Sequence, residues 1–190
     1  MFDYYSRQNL LSIDKPICLL GFFGSRIPEI AVALSQFSGT SVVDLERQVE
    51  HHIGMRIQHF RKKHSEVELL QKEYVCLAKA LPPSSRPLIV FTRPQSFLHA
   101  PIQKILLKRS HCIYLKQGIF VVFSQILNML ERQEQNRDIH IPTSDPKSIH
   151  HISQLMKEYE ESFSKVHRSI DIEQKHPFEV AQELFSEFSK

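Results

Sequence analysis

The chain has 190 residues, of which 42% are hydrophobic and 24% charged, with a formal net charge of +3; this predicts one domain, or at most a domain with an appendage. Its longest basic run is Arg61-Lys62-Lys63, and its longest apolar run, residues 119–130, is interrupted by polar side chains, so neither a nucleic-acid partner nor a membrane span is expected. The first residues carry no apolar signal segment, and the three cysteines share no metal-binding or redox spacing, so we expect a cytoplasmic protein with buried, reduced thiols.

Short apolar runs alternate with amphipathic helical segments along the chain. Residues 1–15 are polar and irregular and are expected to be a loose lead-in. The runs predicted as strands are residues 17–20, 40–43, 88–91, 112–115 and 169–172. The segments predicted as helices are residues 26–37, 44–53, 60–81, 102–107, 120–132, 148–163 and 177–188. This order predicts an α/β fold of three layers, in which helices cover both faces of a five-stranded parallel sheet.

Residues 133–147 form the longest predicted connection. The segment is polar and contains Pro142 and Pro146, and its length is typical of a mobile lid over a binding site. The helix predicted at residues 60–81 has a possible break at His64 and Ser65. No repeat or low-complexity tract divides the chain, so residues 1–190 are expected to form a single domain.

The first strand runs into a glycine turn that is followed at once by a helix. The turn reads Gly21-Phe22-Phe23-Gly24-Ser25-Arg26-Ile27-Pro28. A phosphate-binding loop is built in this setting, with the pattern G-x-x-x-x-G-K-S/T, whose lysine contacts phosphate and whose hydroxyl contacts magnesium. Gly21 occupies the first position of that pattern, but Arg26, Ile27 and Pro28 occupy the last three. The turn therefore has the strand and helix that flank a phosphate-binding loop, but it lacks the lysine and the hydroxyl that would contact phosphate and magnesium.

Individual residues of this turn carry further expectations. Pro28 has no backbone N–H to direct at phosphate, and it disfavours the helical conformation of Ile27 before it. Arg26 is the only cation of the turn and stands beside the positive end of a predicted helix. Phe22 and Phe23 either close over the pocket or present an apolar surface to a partner.

Ligands of parallel sheets bind beyond the carboxyl ends of the strands. In this chain those ends fall at Gly21, Asp44, Thr92-Arg93 and Gln117. Asp44 is interpreted either as the N-cap of the next helix or as an oxygen ligand for a divalent cation. The adjacent histidine pairs at 51–52 and 150–151 do not predict a metal site, because neighbouring helical side chains point about 100° apart.

The order and spacing of these segments resemble the shikimate kinase family of small P-loop kinases. The interval from the first glycine of the loop to the first aspartate of the family's D-x-D pair is matched here by Gly21 to Asp44. Residues 42–50, followed by Gly54, are similar to the segment that carries this pair. Residues 65–70 stand where the family has G-E-x-x-F-R.

Three later segments extend the resemblance to roughly residues 15–190. Residues 92–95, Thr-Arg-Pro-Gln, stand where the family has three glycines. Residues 137–139, Arg-Asp-Ile, resemble the lid motif R-P-L, and residues 158–161 resemble the stretch L-Y-x-E. The resemblance implies the fold of a P-loop kinase and, for the family, ATP- and magnesium-dependent phosphorylation of shikimate.

On the nucleotide side, the resemblance implies that the reacting groups are lost. Ile27 stands at the lysine that reaches phosphate, and Pro28 stands at the magnesium-binding hydroxyl. The adenine-side arginine falls near Gln125. Asp44 survives as a vestigial residue, which would assist magnesium only if that ion binds.

On the substrate side, the resemblance implies a similar loss. Glu46 replaces the aspartate that accepts a hydrogen bond from a substrate hydroxyl. Leu70 and Leu155 stand at the arginines that bind the substrate carboxylate, and Arg93 stands where glycine lets the substrate approach. Arg137 of the lid is interpreted either as a functional cation or as a solvated side chain. Glu46 is interpreted either as a functional acid or as a solvated one.

These residues lead to three hypotheses about function. The leading one is a non-catalytic pseudokinase that binds an unknown protein or small molecule and requires no cofactor. The alternative is an active ATP-dependent shikimate kinase or related small-molecule kinase, in which Arg26 replaces the lysine and ATP and magnesium are required. A third is a structural role without a ligand. No catalytic residue is assigned.

Overall fold

The computed structural model describes residues 15–83, 87–133, 141 and 144–188. Of the predicted lead-in, only Lys15 is among the described residues. Residues 134–140 and 142–143 of the predicted lid, Arg137 among them, lie outside the described residues. Within the described part of the chain, no helix is long and apolar enough to cross a bilayer.

The strands form one parallel sheet with β1 at its centre. They are β1 (Ile17–Gly21), β2 (Val42–Asp44), β3 (Ile89–Phe91), β4 (His111–Lys116) and β5 (Arg168–Asp171). Their order across the sheet is β2-β3-β1-β4-β5, and every neighbouring pair is parallel. The predicted five-stranded parallel α/β fold is therefore confirmed, with the strand ends displaced by at most two residues.

The helices agree with the prediction except at one place. They are α1 (Ile27–Ser38), α2 (Leu45–Ile53), α3 (Ile57–Arg61), α4 (Glu66–Ala80), α5 (Pro94–Leu98), α6 (Ala100–Arg109), α7 (Ile119–Gln133), α8 (Ile149–Phe163) and α9 (Pro177–Phe188). The break predicted at His64 and Ser65 in the helix at 60–81 is confirmed, because Ser65 and Glu68 form a capping box that starts α4. The short helix α5 was not predicted, and Pro94 starts it.

Two apolar cores lie on opposite faces of the sheet, and β1 contributes to both. Ile17 and Leu19 belong to the core that includes side chains of α1 and α9. Cys18 and Leu20 belong to the larger core, which includes side chains of α2, α4, α6, α7 and α8. This alternation follows from the period of two residues in a strand. Cys18 and Cys112 are free, buried thiols, as predicted.

Candidate functional site

The turn of residues 21–28 joins β1 to α1 and is closed by its own hydrogen bonds. The backbone N–H of Ser25 donates to the carbonyl oxygen of Phe22 at 3.1 Å, and that of Ile27 donates to the carbonyl oxygen of Ser25 at 2.8 Å. The Ser25 hydroxyl also donates to the Phe22 carbonyl, at 2.5 Å. Pro28 has no backbone N–H to offer. The backbone groups of these positions are thus used within the turn or missing.

The Ile27 side chain packs beneath the turn. It is 6% exposed and belongs to the core on the α1 and α9 side of the sheet. A Cβ atom at Gly21 would lie 2.9 Å from Ile27 Cδ1 and 2.6 Å from Ser25 Oγ. Gly21 therefore allows the turn's own side chains to pack against the end of β1.

The expected effect of Pro28 on Ile27 is wrong. Helix α1 begins at Ile27, and Arg26 before it has the non-helical conformation, with φ −77° and ψ 41°. Proline is tolerated in the first turn of a helix because its fixed φ suits the helix and its missing N–H has no partner there. Burial of the Ile27 side chain favours the same arrangement.

Arg26 is already paired. Its guanidinium forms an ion pair with Glu29 in the first turn of α1, and 46% of the Arg26 side chain is exposed. An anion at the turn would have to compete with the Glu29 carboxylate for this guanidinium.

Phe22 and Phe23 point inward and pack on α8. They are 4% and 9% exposed, and their rings meet edge to face with centroids 5.0 Å apart. Each ring also packs against Tyr159, at centroid distances of 5.4 Å and 6.0 Å. Of the two roles predicted for this pair, the exposed apolar surface is wrong, because the rings fill the space between the turn and α8.

Helix α7 closes the turn from another side. Gly24 has a φ of +79°, and a Cβ atom added there would lie 2.8 Å from Gln125 Cβ. Sequence similarity placed Gln125 near the adenine side of the site, and the structure places it against the turn itself.

Asp44 ends β2 and caps α2. Its carboxylate accepts a hydrogen bond from the backbone N–H of Arg47 at 3.2 Å, so the N-cap interpretation is confirmed. Burial raises the pKa of the Asp44 carboxyl, against the opposing effect of Arg47. Among the described residues, no group of three or more histidine, cysteine, aspartate or glutamate side chains is arranged to hold a metal ion.

Glu46 lies in the first turn of α2, where part of the residue is exposed to solvent while neighbouring groups surround its carboxyl. Loss of hydration around its carboxyl raises its pKa, whereas the Arg93 guanidinium lowers it. The structure therefore brings Glu46 within the electrostatic influence of Arg93, the other residue predicted on the substrate side.

Arg93 carries a buried guanidinium at the carboxyl end of β3. The residue is 8% exposed, and its Nε lies 2.6 Å from Oε1 of Glu73 on α4. Its Nη2 lies 3.0 Å from Oε1 of Glu66. The second carboxylate oxygen of Glu73 accepts a hydrogen bond from the Ser96 hydroxyl at 2.7 Å. We call Arg93, Glu73, Glu66 and Ser96 the Arg93 cluster; it ties α4 to the segment after β3.

Glu73 and Ser96 were missed by the sequence analysis. Glu73 is 1% exposed and shares the buried face of α4 with Leu69, Cys76 and Leu77. A carboxylate on the apolar face of an amphipathic helix indicates a buried partner, because an unpaired charge is rarely found there. That signal was available in the sequence, although it did not identify Arg93 as the partner.

The two leucines predicted at the substrate side belong to the core. Leu155 is 7% exposed, and the partly buried Leu70 packs against the same apolar cluster. Neither side chain offers a donor to a carboxylate. Arg137 lies outside the described residues.

Several buried polar atoms near the carboxyl ends of β3 and β4 and beside the turn make no hydrogen bond to another described residue. They are Thr92 Oγ1, Arg93 Nη1, Gln117 Oε1 and Gln125 Oε1. Buried polar groups in folded proteins usually have partners. This edge of the sheet therefore holds buried polar atoms without a hydrogen-bond partner among the described residues.

A comparison with models of known protein families found one match. The model of the family described as shikimate kinase matches residues 29–189, so the match begins just after the turn of residues 21–28. A sequence comparison with curated proteins found no match.

Solved structures share the fold at low sequence identity. The shikimate kinase from Acinetobacter baumannii in complex with shikimate is 20% identical, with a TM-score of 0.76 over 90% of this chain and 91% of that chain. The shikimate kinase from Bacteroides thetaiotaomicron is 14% identical, with a TM-score of 0.73 over 90% and 96% of the two chains. The tunicamycin resistance protein of Deinococcus radiodurans is 18% identical, with a TM-score of 0.58 over 91% and 95%.

Proposed function

Because the chain belongs to the shikimate kinase family, we propose that it is a member without phosphoryl-transfer activity, a pseudokinase, that acts by binding. The observation that carries this proposal is the closed turn of residues 21–28. Its backbone N–H groups at Ser25 and Ile27 are bonded within the turn, and its interior is filled by apolar side chains.

The turn does not fit a magnesium–nucleotide complex. Ile27 supplies no ammonium, Pro28 supplies neither a hydroxyl nor an N–H, and the Ser25 hydroxyl is bonded to Phe22. Charge-assisted hydrogen bonds of the missing kind contribute about 1.5–3 kcal/mol each, and phosphoryl transfer depends on positioning and charge stabilisation. A deficit of about 4 kcal/mol slows a reaction about 10³-fold.

The substrate side supports the same proposal. Leu70 and Leu155 pack in the core and offer no guanidinium to a carboxylate. The guanidinium of Arg93 is held by two carboxylates of α4, which leave its Nη1 as the donor without a partner among the described residues. The site thus lacks the planar, two-pronged grip by which arginine binds a carboxylate.

The alternative, an active kinase in which Arg26 replaces the lysine, is disfavoured by the ion pair between Arg26 and Glu29. A retained binding role is favoured by the buried, unpartnered polar atoms of Thr92, Gln117 and Gln125. Gln117 and Gln125 have acceptor oxygens there and Thr92 a hydroxyl, so a ligand that reached these buried atoms would have to supply hydrogen-bond donors.

A coupled assay with ATP, magnesium and shikimate tests the proposal. The purified chain and an active shikimate kinase, such as the Acinetobacter baumannii enzyme, are measured side by side. We expect the chain to be at least about 10³-fold slower than the active enzyme. Turnover within about a hundredfold of the active enzyme would refute the loss of catalysis.

A further inference from the structure

A groove of about 550 Å³ lies between α4 and α6 and is lined by Tyr74, Ala100, Pro101, Lys104, Ile105, Lys108 and Arg109. None of these residues belongs to the turn of residues 21–28 or to the Arg93 cluster. The groove therefore needs an explanation separate from the family's ligand site.

One face of α6 forms most of the groove. Pro101, Lys104, Ile105 and Lys108 recur at spacings of three and four residues, so they lie on one side of the helix. Ile105 is 9% exposed and gives an apolar floor, whereas Tyr74 of α4 is 40% exposed and forms a wall.

The charges of the groove are all positive. Lys104, Lys108 and Arg109 line it, and no acidic side chain does. Neither lysine forms an ion pair with another described residue. Arg109 donates a hydrogen bond to the carbonyl oxygen of Leu81 at 2.7 Å, which fixes that cation at the end of the groove and joins the ends of α4 and α6.

Exposed apolar side chains continue beyond the groove along α4. Val67 is 62% exposed and Val75 is 39% exposed. Val67 lies two helical turns before Tyr74, on the same face of the helix. Exposed aromatic and apolar residues beside a concave surface are typical of protein-binding sites.

We propose that this groove binds an acidic segment of a partner protein, with an apolar side chain of that segment seated on Ile105 and Tyr74 and its carboxylates above Lys104 and Lys108. The two lysines lie one helical turn apart, with Cβ atoms about 5–6 Å from each other. An acidic segment whose carboxylates have the same spacing can pair with Lys104 and Lys108 together. Nucleic acid fits less well, because the groove has an apolar floor and only a short run of cations.

Peptide selection followed by titration tests this proposal. The wild-type protein is panned against a library of short random peptides, and a selected peptide is then titrated by fluorescence anisotropy. We expect selected peptides to be acidic, to contain an apolar residue, and to bind more weakly as salt is raised. Lys104→Glu with Lys108→Glu is expected to weaken binding by at least about tenfold.

Two variants separate a specific groove from general attraction. Lys157→Glu with Lys165→Glu makes the same change of charge at exposed lysines outside the groove and is expected to alter the affinity by less than about twofold. Tyr74→Ala keeps the charge and removes an apolar wall, and it is expected to weaken binding as well. Circular dichroism checks that each variant is folded.

Several results would overturn the proposal. These are selected peptides without net negative charge, a peptide that binds the two lysine-pair variants equally well, or a selection that yields no peptide dependent on Lys104 and Lys108. Duplex DNA or phosphatidylserine vesicles that bind more tightly than the peptides, with the same lysine dependence, would assign the groove to another polyanion. Because the groove lies outside the family's ligand site, this test and the kinase assay can fail independently.

Discussion

The guanidinium of Arg93 and the carboxylate of Glu73 form an ion pair in which both residues are buried, with Nε and Oε1 2.6 Å apart. Arg93 follows β3 and Glu73 belongs to α4, so the pair joins the edge of the sheet to a helix that covers it. Ser96 donates to the other oxygen of Glu73. The contacts of Arg93, a residue predicted on the substrate side, are thus made within the protein itself.

Removing the arginine should be strongly destabilising. Arg93→Ala leaves the Glu73 carboxylate buried without its charge partner, and we expect the free energy of unfolding to fall by about 3–5 kcal/mol. Urea unfolding measures this loss. Lys175→Ala is the matched control, because it breaks an exposed pair with Glu183 and should change the stability by less than about 1 kcal/mol. Equal losses in the two variants would contradict a structural role for the buried pair.

The approach of α7 to the turn can be measured with two glycines. Gly24 and Gly39 both have positive φ, but a Cβ atom would meet Gln125 at Gly24 and nothing within 4 Å at Gly39. Gly39→Ala should therefore lower the free energy of unfolding only through left-handed backbone strain, by about 1–2 kcal/mol. Gly24→Ala should lower it by a further amount of about 1–3 kcal/mol, because the added methyl group overpacks against Gln125. Thermal or urea unfolding compares the stabilities of the two variants. A smaller loss of stability for Gly24→Ala than for Gly39→Ala would contradict the close contact between Gln125 and the turn.

His167 should make stability depend on pH. Its Nδ1 accepts the backbone N–H of Cys112 at 3.0 Å, and partial burial, with His111 and Lys15, lowers its pKa. The unfolded chain then binds the proton more readily, so this contribution is complete above the unfolded pKa of about 6.5 and decreases as pH falls below it. The effect should be small, because the side chain is largely exposed.

His167→Asn provides the test, since its amide oxygen accepts the same N–H and does not titrate. Unfolding midpoints are measured between about pH 7 and pH 5. We expect the difference in stability between wild type and variant to change over that interval, with the wild type losing more. Parallel profiles would exclude His167 as the source.

Restoring the loop should not restore the enzyme. Ile27→Lys with Pro28→Ser supplies an ammonium, a hydroxyl and a backbone N–H, so we expect tighter binding of ATP and magnesium than in the wild type. The substrate side is unchanged, and bound ATP achieves little when the acceptor hydroxyl is not held in line. Shikimate turnover by the double variant should therefore remain at least about 10³-fold below that of an active shikimate kinase.

Calorimetry and a coupled assay on one preparation make this comparison. Val32→Lys is the control for added charge, because Val32 lies on α1 and is 52% exposed; its ATP affinity should equal that of the wild type. Robust shikimate turnover by the double variant would mean that the substrate site survives and that Leu70 and Leu155 have been matched to the wrong family positions.

The sequence predicted most of the fold, because alternation of apolar strands and amphipathic helices is a local signal. The capping box at Ser65 and Glu68 was likewise a local signal for the start of α4. The Arg93 cluster was not predicted, since Arg93 and Glu73 are 20 residues apart and no local pattern pairs them. The inward direction of Phe22 and Phe23 also depends on a distant residue, Tyr159, because periodicity does not define the faces of a turn.

The ends of the strands were predicted more accurately than the contacts of the residues that follow them. The predicted strands placed Gly21 and Asp44 at the carboxyl edge of the sheet, where the structure has them, and of the two interpretations of Asp44 the N-cap is observed. The expected effect of Pro28 on Ile27 failed, because a local conformational preference is smaller than the burial of a whole isoleucine side chain.

Direct calorimetric titration with ATP and magnesium tests the central claim, that the turn of residues 21–28 is closed to nucleotide. An active shikimate kinase is titrated under the same conditions as the positive control. We predict no saturable heat from this chain at nucleotide concentrations that saturate the control, because Ile27 and Pro28 supply no phosphate or magnesium contacts and the turn is bonded to itself. Saturable binding with an affinity within about tenfold of the control, lost in Arg26→Ala, would contradict the claim and favour an active kinase.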